Sequence, residues 1–260
     1  MHFYKYQGTG NDFVLIDNRS GSIELSAAQI QRLCHRRFGI GADGLMLLNT
    51  HPDFDFEMVY FNADGHPGSM CGNGGRCITR FAHDLGIRKP AYHFLASDGA
   101  HEAELLPDGR ISLLMSPVDQ IEKSGSDYLT NTGSPHLVRI VEQLDALPVV
   151  ELGRAIRNEP RFAPKGINVN FVARTESPNT IRVRTYERGV EDETFSCGTG
   201  VTACALALAV MDQQIQDCKI QTQGGELEVH YHTTDFIRFS NIRLIGRATI
   251  VFEGQYEQQP

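Results

Sequence analysis

The sequence predicts a mixed α/β protein of two similar domains, each a curved, barrel-like sheet around a central helix. Two observations support this class. Short apolar segments bounded by glycine-, proline- and aspartate-rich turns recur along all 260 residues, which is typical of strands. A cysteine followed by glycines and a helical pattern also occurs twice, at Cys71 and at Cys197, so the chain contains a repeat about the size of a small domain. We therefore expect one active site in the cleft between the halves, with a sulfur from each.

The first half, 1–116, contains predicted strands and two predicted helices. A capping box at Ser26-Ala27-Ala28-Gln29 predicts a helix from there to Arg37. After Cys71, apolar residues at helical spacing predict a second helix, with Gly86 as its C-cap. Strands are predicted at 3–6, 13–17, 45–48, 54–62, 92–96, 101–106 and 110–115.

The second half, 117–245, begins after Ser116-Pro117 and repeats features of the first. Thr132-Gly133 resembles Thr9-Gly10, and each pair precedes its cysteine by a similar distance. The segment after Cys197 is apolar on nearly every face from 201 to 211, so we expect a helix wrapped by sheet on all sides. Further strands are predicted at 180–186, 219–223, 227–231, 236–239 and 249–252.

Composition excludes several classes of function. A net charge of −8 disfavours nucleic acid and anionic membranes as partners, because both require basic patches. No apolar run approaches the roughly 20 residues of a membrane span, and the N-terminus lacks a signal-peptide pattern. We expect a soluble, cytoplasmic protein with its six cysteines reduced. Their spacings do not match a zinc knuckle, so no structural zinc is expected.

The duplicated cysteine turns predict a specific chemistry. A helix that starts just after a cysteine directs free N–H groups and the positive end of its dipole at the sulfur, which favours the thiolate. Two such thiols on opposite faces of a carbon could remove a proton from one side and return one to the other, which inverts a stereocentre. The helix N-termini would stabilise the carboxylate beside the carbanion.

Six motifs, in order and spanning nearly the whole chain, resemble those of the diaminopimelate epimerase family. They are Gly8-Thr9-Gly10-Asn11-Asp12-Phe13, Asn62-Ala63-Asp64-Gly65, Met70-Cys71-Gly72-Asn73-Gly74, Asn168-Val169-Asn170-Phe171-Val172, Glu187-Arg188-Gly189 and Ser196-Cys197-Gly198-Thr199-Gly200. The resemblance implies interconversion of LL- and meso-2,6-diaminopimelate, without pyridoxal phosphate, metal or other cofactor, in lysine and peptidoglycan precursor biosynthesis. It also implies a homodimer, and a last strand within 246–260 that crosses back to the first domain.

The resemblance assigns roles residue by residue. Cys197 would be the base that attacks the LL isomer and Cys71 the acid that reprotonates it, with the roles exchanged in reverse. His136 and Glu187 match positions that tune the thiol pKa values, since a nearby carboxylate raises a thiol pKa and a cationic imidazole lowers it. N–H donors to the reacting carboxylate would come from Gly72, Asn73, Gly198 and Thr199, and the substrate would be held by Asn11, Asn62, Asn168, Glu187 and Arg188.

Three residues depart from the family pattern. Gly44 stands where some members have a substrate-binding Gln, Ser134 where Asn is common, and Phe252 where many have a Tyr linked to dimer formation. Three other interpretations remain: an amino-acid racemase of the proline racemase type, which has His where this chain has Asn73; a thiol redox sensor; and a non-catalytic relative. Arg76 is interpreted as structural.

Overall fold

The computed structural model describes residues 1–257, and it divides into two compact units. Unit 1 contains Met1–Leu113 and the chain from Arg247 onward, and unit 2 contains Leu114–Gly246. Each unit has one long buried helix packed against strands. The predicted class, mixed α/β with two similar domains, is confirmed. Every helix within the described range is too short or too polar for a bilayer crossing.

Unit 1 pairs its strands mostly with their sequence neighbours. In chain order its elements are β1 (His2–Gly8), β2 (Asn11–Asp17), α1 (Ala27–Cys34), β3 (Gly44–Asn49), β4 (Phe56–Asn62), α2 (Gly72–Asp84), β5 (Tyr92–Ala96), β6 (Gly99–Leu105) and β7 (Ile111–Met115), whose last residues enter unit 2. The pairs β1–β2, β3–β4, β5–β6 and β6–β7 are antiparallel, whereas β2–β3 and β4–β5 are parallel. Helix α2 packs against β1, β2, β3 and β6.

Unit 2 repeats this plan around a more apolar helix. Its elements are β8 (Ile121–Ser124), β9 (Asp127–Asn131), β10 (Pro135–Ile140), α3 (Val149–Arg157), β11 (Asn168–Arg174), β12 (Thr180–Glu187), β13 (Asp192–Thr194), α4 (Gly198–Met211), β14 (Asp217–Thr222), β15 (Gly225–His232) and β16 (Ser240–Gly246). The final strand, β17 (Thr249–Gln255), pairs antiparallel with β1 of unit 1. Helix α4 is buried along almost its whole length and packs against seven strands of unit 2, so its predicted enclosure is confirmed.

Local signals placed the ends of α2 correctly. The helix begins directly after Cys71, and it ends in a Schellman motif: the N–H of Gly86 donates to the carbonyl of His83 and that of Ile87 to the carbonyl of Ala82, both at 3.0 Å. Gly86 has φ +90°, a conformation that glycine adopts without the Cβ penalty of other residues. Leu85 is the cap itself, and Gly86 is the residue that follows it.

Two predictions of secondary structure are wrong. Helix α1 has the expected capping box, but it ends at Cys34 rather than Arg37, because the His35 ring accepts the N–H groups of Arg37 and Phe38 and turns the chain. The predicted strand at 236–239 is a turn in which an Asp235 carboxylate oxygen accepts two following backbone N–H groups at 2.9 Å. Elements without a prediction are α3, β8, β9, β10, β11, β13 and β16.

Candidate functional site

Both cysteines are N-cap residues, as the sequence predicts. Cys71 (φ −116°, ψ 151°) precedes α2, and Cys197 (φ −114°, ψ 114°) precedes α4. Cys71 Sγ accepts the backbone N–H of Gly74 at 3.2 Å. The sulfur therefore replaces the carboxylate or hydroxyl that usually caps a helix, in the field of the free N–H groups of the first turn.

A glycine three residues after each cysteine lets the helix approach the sulfur closely. A Cβ on Gly74 would lie 3.2 Å from Cys71 Sγ, and one on Gly200 would lie 3.2 Å from Cys197 Cβ and 2.4 Å from Asn170 Oδ1. A side chain here would crowd the cap. The repeated glycine thus has the same physical purpose in both units.

In unit 1 two of the predicted asparagines lie beside Cys71. Asn11 Oδ1 is 3.9 Å from Cys71 Sγ and 3.5 Å from Asn73 Nδ2, while Asn11 Nδ2 donates to Asp43 at 2.7 Å. Asn62 ends β4 opposite Gly44, with an exposed side chain and its N–H bonded to the carbonyl of His66. Gly72 begins α2 and is buried.

Arg76, which the sequence predicts to be structural, is wholly buried one turn into α2. Its guanidinium donates to Asn73 Oδ1 at 2.9 Å, to Thr9 Oγ1 at 3.0 Å and to the carbonyl of Gly72 at 3.2 Å. These bonds fix the orientation of the Asn73 amide, so that its Nδ2 faces Asn11. In the sequence, the feature that marks this residue is its position five residues after Cys71.

In unit 2 the Thr199 hydroxyl connects Cys197 to His136. Thr199 Oγ1 lies 3.5 Å from Cys197 Sγ, 2.8 Å from His136 Nε2 and 3.1 Å from Ser134 Oγ. Ser134 Oγ is itself 2.9 Å from His136 Nε2. The residue that departs from the family pattern is therefore part of the hydrogen-bonded group around Cys197.

His136 is neutral in this environment, which corrects the cationic imidazole considered from the sequence. Burial, with a smaller contribution from the charge of Arg188, lowers the pKa of His136 to about 3. Its Nδ1 accepts from Asn170 Nδ2 at 3.1 Å, and Asn170 is oriented by Thr185, which donates to its Oδ1 at 2.9 Å. His136 Nε2 therefore carries the proton and donates toward Thr199, whose hydroxyl hydrogen can point at sulfur.

The remaining predicted residues of unit 2 lie at the ends of β11 and β12. Asn168 Oδ1 accepts the backbone N–H of Arg188 at 2.8 Å, and Asn168 Nδ2 donates to Ser134 Oγ at 3.1 Å. Arg188 also donates to the carbonyl of Lys165 at 3.3 Å. Glu187 accepts from Thr194 Oγ1 at 3.1 Å. Asn168 thus links the Arg188 backbone to the Ser134 and His136 cluster.

The four other cysteines behave as buried thiols. Burial raises the pKa of Cys34 to about 11 and those of Cys77 and Cys218 to about 12, and it raises the pKa of Cys204 well above the ordinary thiol value. They pack as small apolar side chains and remain protonated at neutral pH.

Two features lie apart from the predicted site residues. An open cavity of about 680 Å³ is lined by α3 and by Arg184 and Glu193. Among residues 1–257, Asp217, Glu228 and His230 are spaced as metal ligands could be, on neighbouring strands β14 and β15. Partly exposed carboxylates often group in this way without binding an ion, and neither feature contains a cysteine.

Comparisons with known proteins agree on one family. The family model for diaminopimelate epimerase matches residues 3–121 and 128–242. The chain is 48% identical over 255 residues to the diaminopimelate epimerase of Flavobacterium psychrophilum, covering 97% of this chain and 99% of that one. It is 47% identical over 257 residues to the diaminopimelate epimerase of Chlorobaculum tepidum, covering 95% and 98%.

Solved structures share the fold at low sequence identity. A phenazine biosynthesis protein of the PhzF family from Bacillus anthracis superposes with a TM-score of 0.77 at 14% identity, covering 99% of both chains. A hydroxyproline epimerase from Agrobacterium vitis superposes with a TM-score of 0.68 at 17% identity, covering 98% of this chain and 91% of that one. At these identities the likeness concerns the fold alone.

Proposed function

The chain belongs to the diaminopimelate epimerase family, and on that premise we propose that it interconverts LL- and meso-2,6-diaminopimelate. The product would enter lysine and peptidoglycan precursor synthesis. The observation that carries the proposal is the duplicated N-cap: Cys71 and Cys197 both precede a helix, and both have a glycine three residues later. Two acid–base groups of the same kind suit a reaction whose two directions differ only in configuration.

The proton transfer requires one of the two cysteines as the thiolate and the other as the neutral thiol. In the LL-to-meso direction the Cys197 thiolate takes the α-proton, so that the C–H bond breaks and its electron pair moves onto the α-carbon and its carboxylate. The Cys71 thiol then gives a proton to the opposite face, which leaves Cys197 protonated and Cys71 as thiolate. The meso-to-LL direction starts from that state. Backbone N–H groups at Gly72, Asn73, Gly198 and Thr199 stabilise the charge that develops on the carboxylate.

Side chains at the ends of strands bind the rest of the substrate. Asn11, Asn62 and Asn168 offer amide groups to its ammonium and carboxylate groups, and Arg188 offers a planar fork to the carboxylate that does not react. Glu187 acts on both the substrate and the Cys197 pKa. His136 acts on the sulfur as a neutral donor through the Thr199 hydroxyl, a role that its contacts with Ser134, Thr199 and Asn170 support.

We further propose that the protein acts in the cytoplasm as a homodimer that uses β17. Ile250, Val251 and Phe252 on this strand are 46–56% exposed in the single chain, and contiguous apolar side chains of this kind are typical of an interaction surface. Light scattering coupled to size-exclusion chromatography tests this. A dimer that Phe252→Glu converts to monomer is the expected result, and a monomeric wild type would contradict it.

The test of function is incubation with LL-diaminopimelate in deuterated water, without added cofactor. Deuterium should appear at the α-carbon while the meso isomer accumulates, as followed by mass spectrometry and chiral chromatography. L-Proline, assayed in parallel, should remain unlabelled. Labelling of proline but not of diaminopimelate would assign the chain to the proline racemase chemistry instead. Labelling of neither compound would contradict the proposed epimerase activity.

A further inference from the structure

In the part of the chain that the structure describes, the buried charge of Arg76 lacks a carboxylate partner. The side chain is 0% exposed, and among residues 1–257 its guanidinium bonds only to an amide oxygen, a hydroxyl and a carbonyl. Within the described part of the chain, its Nε has no hydrogen-bond partner. Burying a charge without a counter-ion is costly, so a fold that keeps one usually uses it.

The other ionisable groups of α2 and of the strands packed against it do not compensate this charge. On β6, Glu102 and Glu104 flank the buried Ala103, so alternation directs their side chains to the opposite face. On α2 itself, burial keeps Cys77 protonated, with a pKa of about 12. The remaining groups have other partners. They pair as Lys5 with Asp12 at 2.7 Å, Tyr6 with Asp84 at 2.7 Å, Arg80 with Asp84 at 3.0 Å, His83 with Tyr92 at 2.8 Å, His101 with Asp98 at 2.9 Å, Asp17 with Arg19 at 2.6 Å and His2 with Glu253 at 3.4 Å, and burial raises the pKa of Tyr4, which keeps it neutral.

Of the two described groups that interact electrostatically with Arg76, Cys77 stays protonated, which leaves Cys71 as the one that can carry a negative charge. Burial lowers the pKa of Arg76 to about 10, opposed by the nearby sulfurs of Cys77 and Cys71, so the guanidinium is still protonated at neutral pH. The positive charge of Arg76 and the Cys71 sulfur interact electrostatically, and a buried positive charge favours the thiolate form of a cysteine within its reach. The same guanidinium holds Asn73 Oδ1, which turns the Asn73 amide donor toward Asn11 and the side on which Cys71 lies.

We propose that Arg76 is a positioning residue that stabilises the Cys71 thiolate and fixes the Asn73 amide beside it. Unit 2 has no counterpart: position five after Cys197 is Thr202, whose hydroxyl donates to the Gly198 carbonyl at 2.9 Å, and His136 is neutral. The half-site around Cys71 therefore stabilises negative charge on its sulfur with a buried guanidinium on the helix itself. The groups bonded in sequence to the Cys197 sulfur are the neutral Thr199 hydroxyl and the neutral His136 ring, and the Arg188 charge acts on that ring from a strand end. The catalytic meaning of this asymmetry depends on the proposed function, whereas the electrostatic effect itself does not.

The test measures the ionisation of Cys71 without substrate. In a Cys197→Ala background, the rate of iodoacetamide alkylation of the Cys71 peptide is followed by mass spectrometry between pH 6 and 10. Arg76→Gln keeps a donor for Asn73 and removes the charge. It should raise the pH at which alkylation of Cys71 reaches half its maximal rate, the midpoint, by about one pH unit or more. At a pH below the midpoint this makes alkylation about tenfold slower. Arg76→Lys should keep the midpoint near that of the unmutated Arg76.

Arg80→Met is the matched control, because Arg80 lies one turn further along α2 and its charge is already neutralised by Asp84. It should leave the midpoint unchanged. A midpoint that Arg76→Gln does not move, or that Arg80→Met moves equally, would overturn the proposal. Circular dichroism shows whether Arg76→Gln folds. If it does not, the alkylation midpoint of Cys71 in the protein with Arg76 intact tests the proposal instead. A midpoint at or above the ordinary thiol pKa of about 8.5 would also overturn the proposal. A shifted midpoint in a protein that does not epimerise diaminopimelate would refute the proposed function alone.

Discussion

The two cysteine turns share one backbone design but differ in the polar groups beneath it. Two residues after Cys71 stands Asn73, whose amide oxygen accepts from a buried guanidinium; two residues after Cys197 stands Thr199, whose hydroxyl lies against a buried neutral imidazole. Backbone geometry, which places a sulfur at a helix N-terminus, is thus repeated, while the charge around each sulfur is set separately by each unit. A symmetric reaction does not require symmetric electrostatics.

The same contrast extends to the threonine of the Thr-Gly motif in each unit, Thr9 and Thr132. Thr9 Oγ1 donates to the side-chain oxygen of Asn73 at 3.2 Å, whereas Thr132 Oγ1 donates to the backbone carbonyl of Thr199 at 2.8 Å. In unit 1 the threonine therefore supports a side chain, and in unit 2 it supports the helix backbone and leaves the Thr199 hydroxyl for His136. Equivalent positions in a repeat can hold different parts of equivalent sites.

Removal of either sulfur should have the largest effect. Cys71→Ala and Cys197→Ala should each lower epimerisation by at least the 10²–10⁴-fold typical of general acid–base groups, because one face of the carbon loses its proton carrier. Turnover is measured by chiral chromatography. Cys34→Ala and Cys218→Ala, which alter buried thiols only, are the controls. Near-normal turnover after loss of either N-cap cysteine would show that the two half-sites do not act as a pair.

Arg188→Lys should have the next largest effect. Arg188 is held through its backbone by Asn168, and its guanidinium is proposed to clamp the distal carboxylate bidentately. A charge-assisted hydrogen bond contributes about 1.5–3 kcal/mol, so kcat/KM should fall by about one to two decades. Slow α-deuterium exchange should persist at high substrate. Wild-type kcat/KM in this variant would show that Arg188 is an ordinary surface charge.

Thr199→Val tests the neutral relay of unit 2. It removes the hydroxyl between His136 and Cys197 while keeping shape and backbone N–H, and loss of roughly one hydrogen bond should lower kcat/KM about tenfold. Thr202→Val is the matched control on the same helix, because that hydroxyl bonds to a carbonyl and not to the sulfur. Equal losses in the two variants would mean that Thr199 matters only for folding.

The last prediction concerns stability in acid rather than activity. The pKa of His136 is about 3 in the fold because of burial, and about 6.5 in the unfolded chain, so the unfolded state binds the extra proton. The free energy of unfolding should fall as pH drops below 6.5, with His136 contributing up to about 1.4 kcal/mol per pH unit until about pH 3. Urea titrations should show this contribution absent in His136→Gln and present in His93→Gln, which changes an exposed histidine. Identical pH slopes in wild type and His136→Gln would rule out a neutral buried imidazole.

The sequence by itself determined the features that depend on near neighbours along the chain. The capping box before α1, the helix starts at Cys71 and Cys197 and the glycine after α2 each need only a few consecutive residues, so local patterns predict them. The enclosed character of α4 followed equally from its unbroken apolar sequence. The family resemblance rested on the same local motifs.

The tertiary structure decided which side chains are buried or charged and which groups they bond to. Whether an arginine near a helix start is solvated or wholly buried depends on β1 and β2 closing over it, and no local pattern encodes that for Arg76. The protonation of His136 depends in the same way on its burial beside Asn170, which comes from a strand 34 residues away. The end of α1 and the turn at 236–239 were decided by side chains that captured backbone N–H groups in place of helix or sheet. Solvation and competition for hydrogen bonds are properties of the packed chain, and so they appear only once distant segments meet.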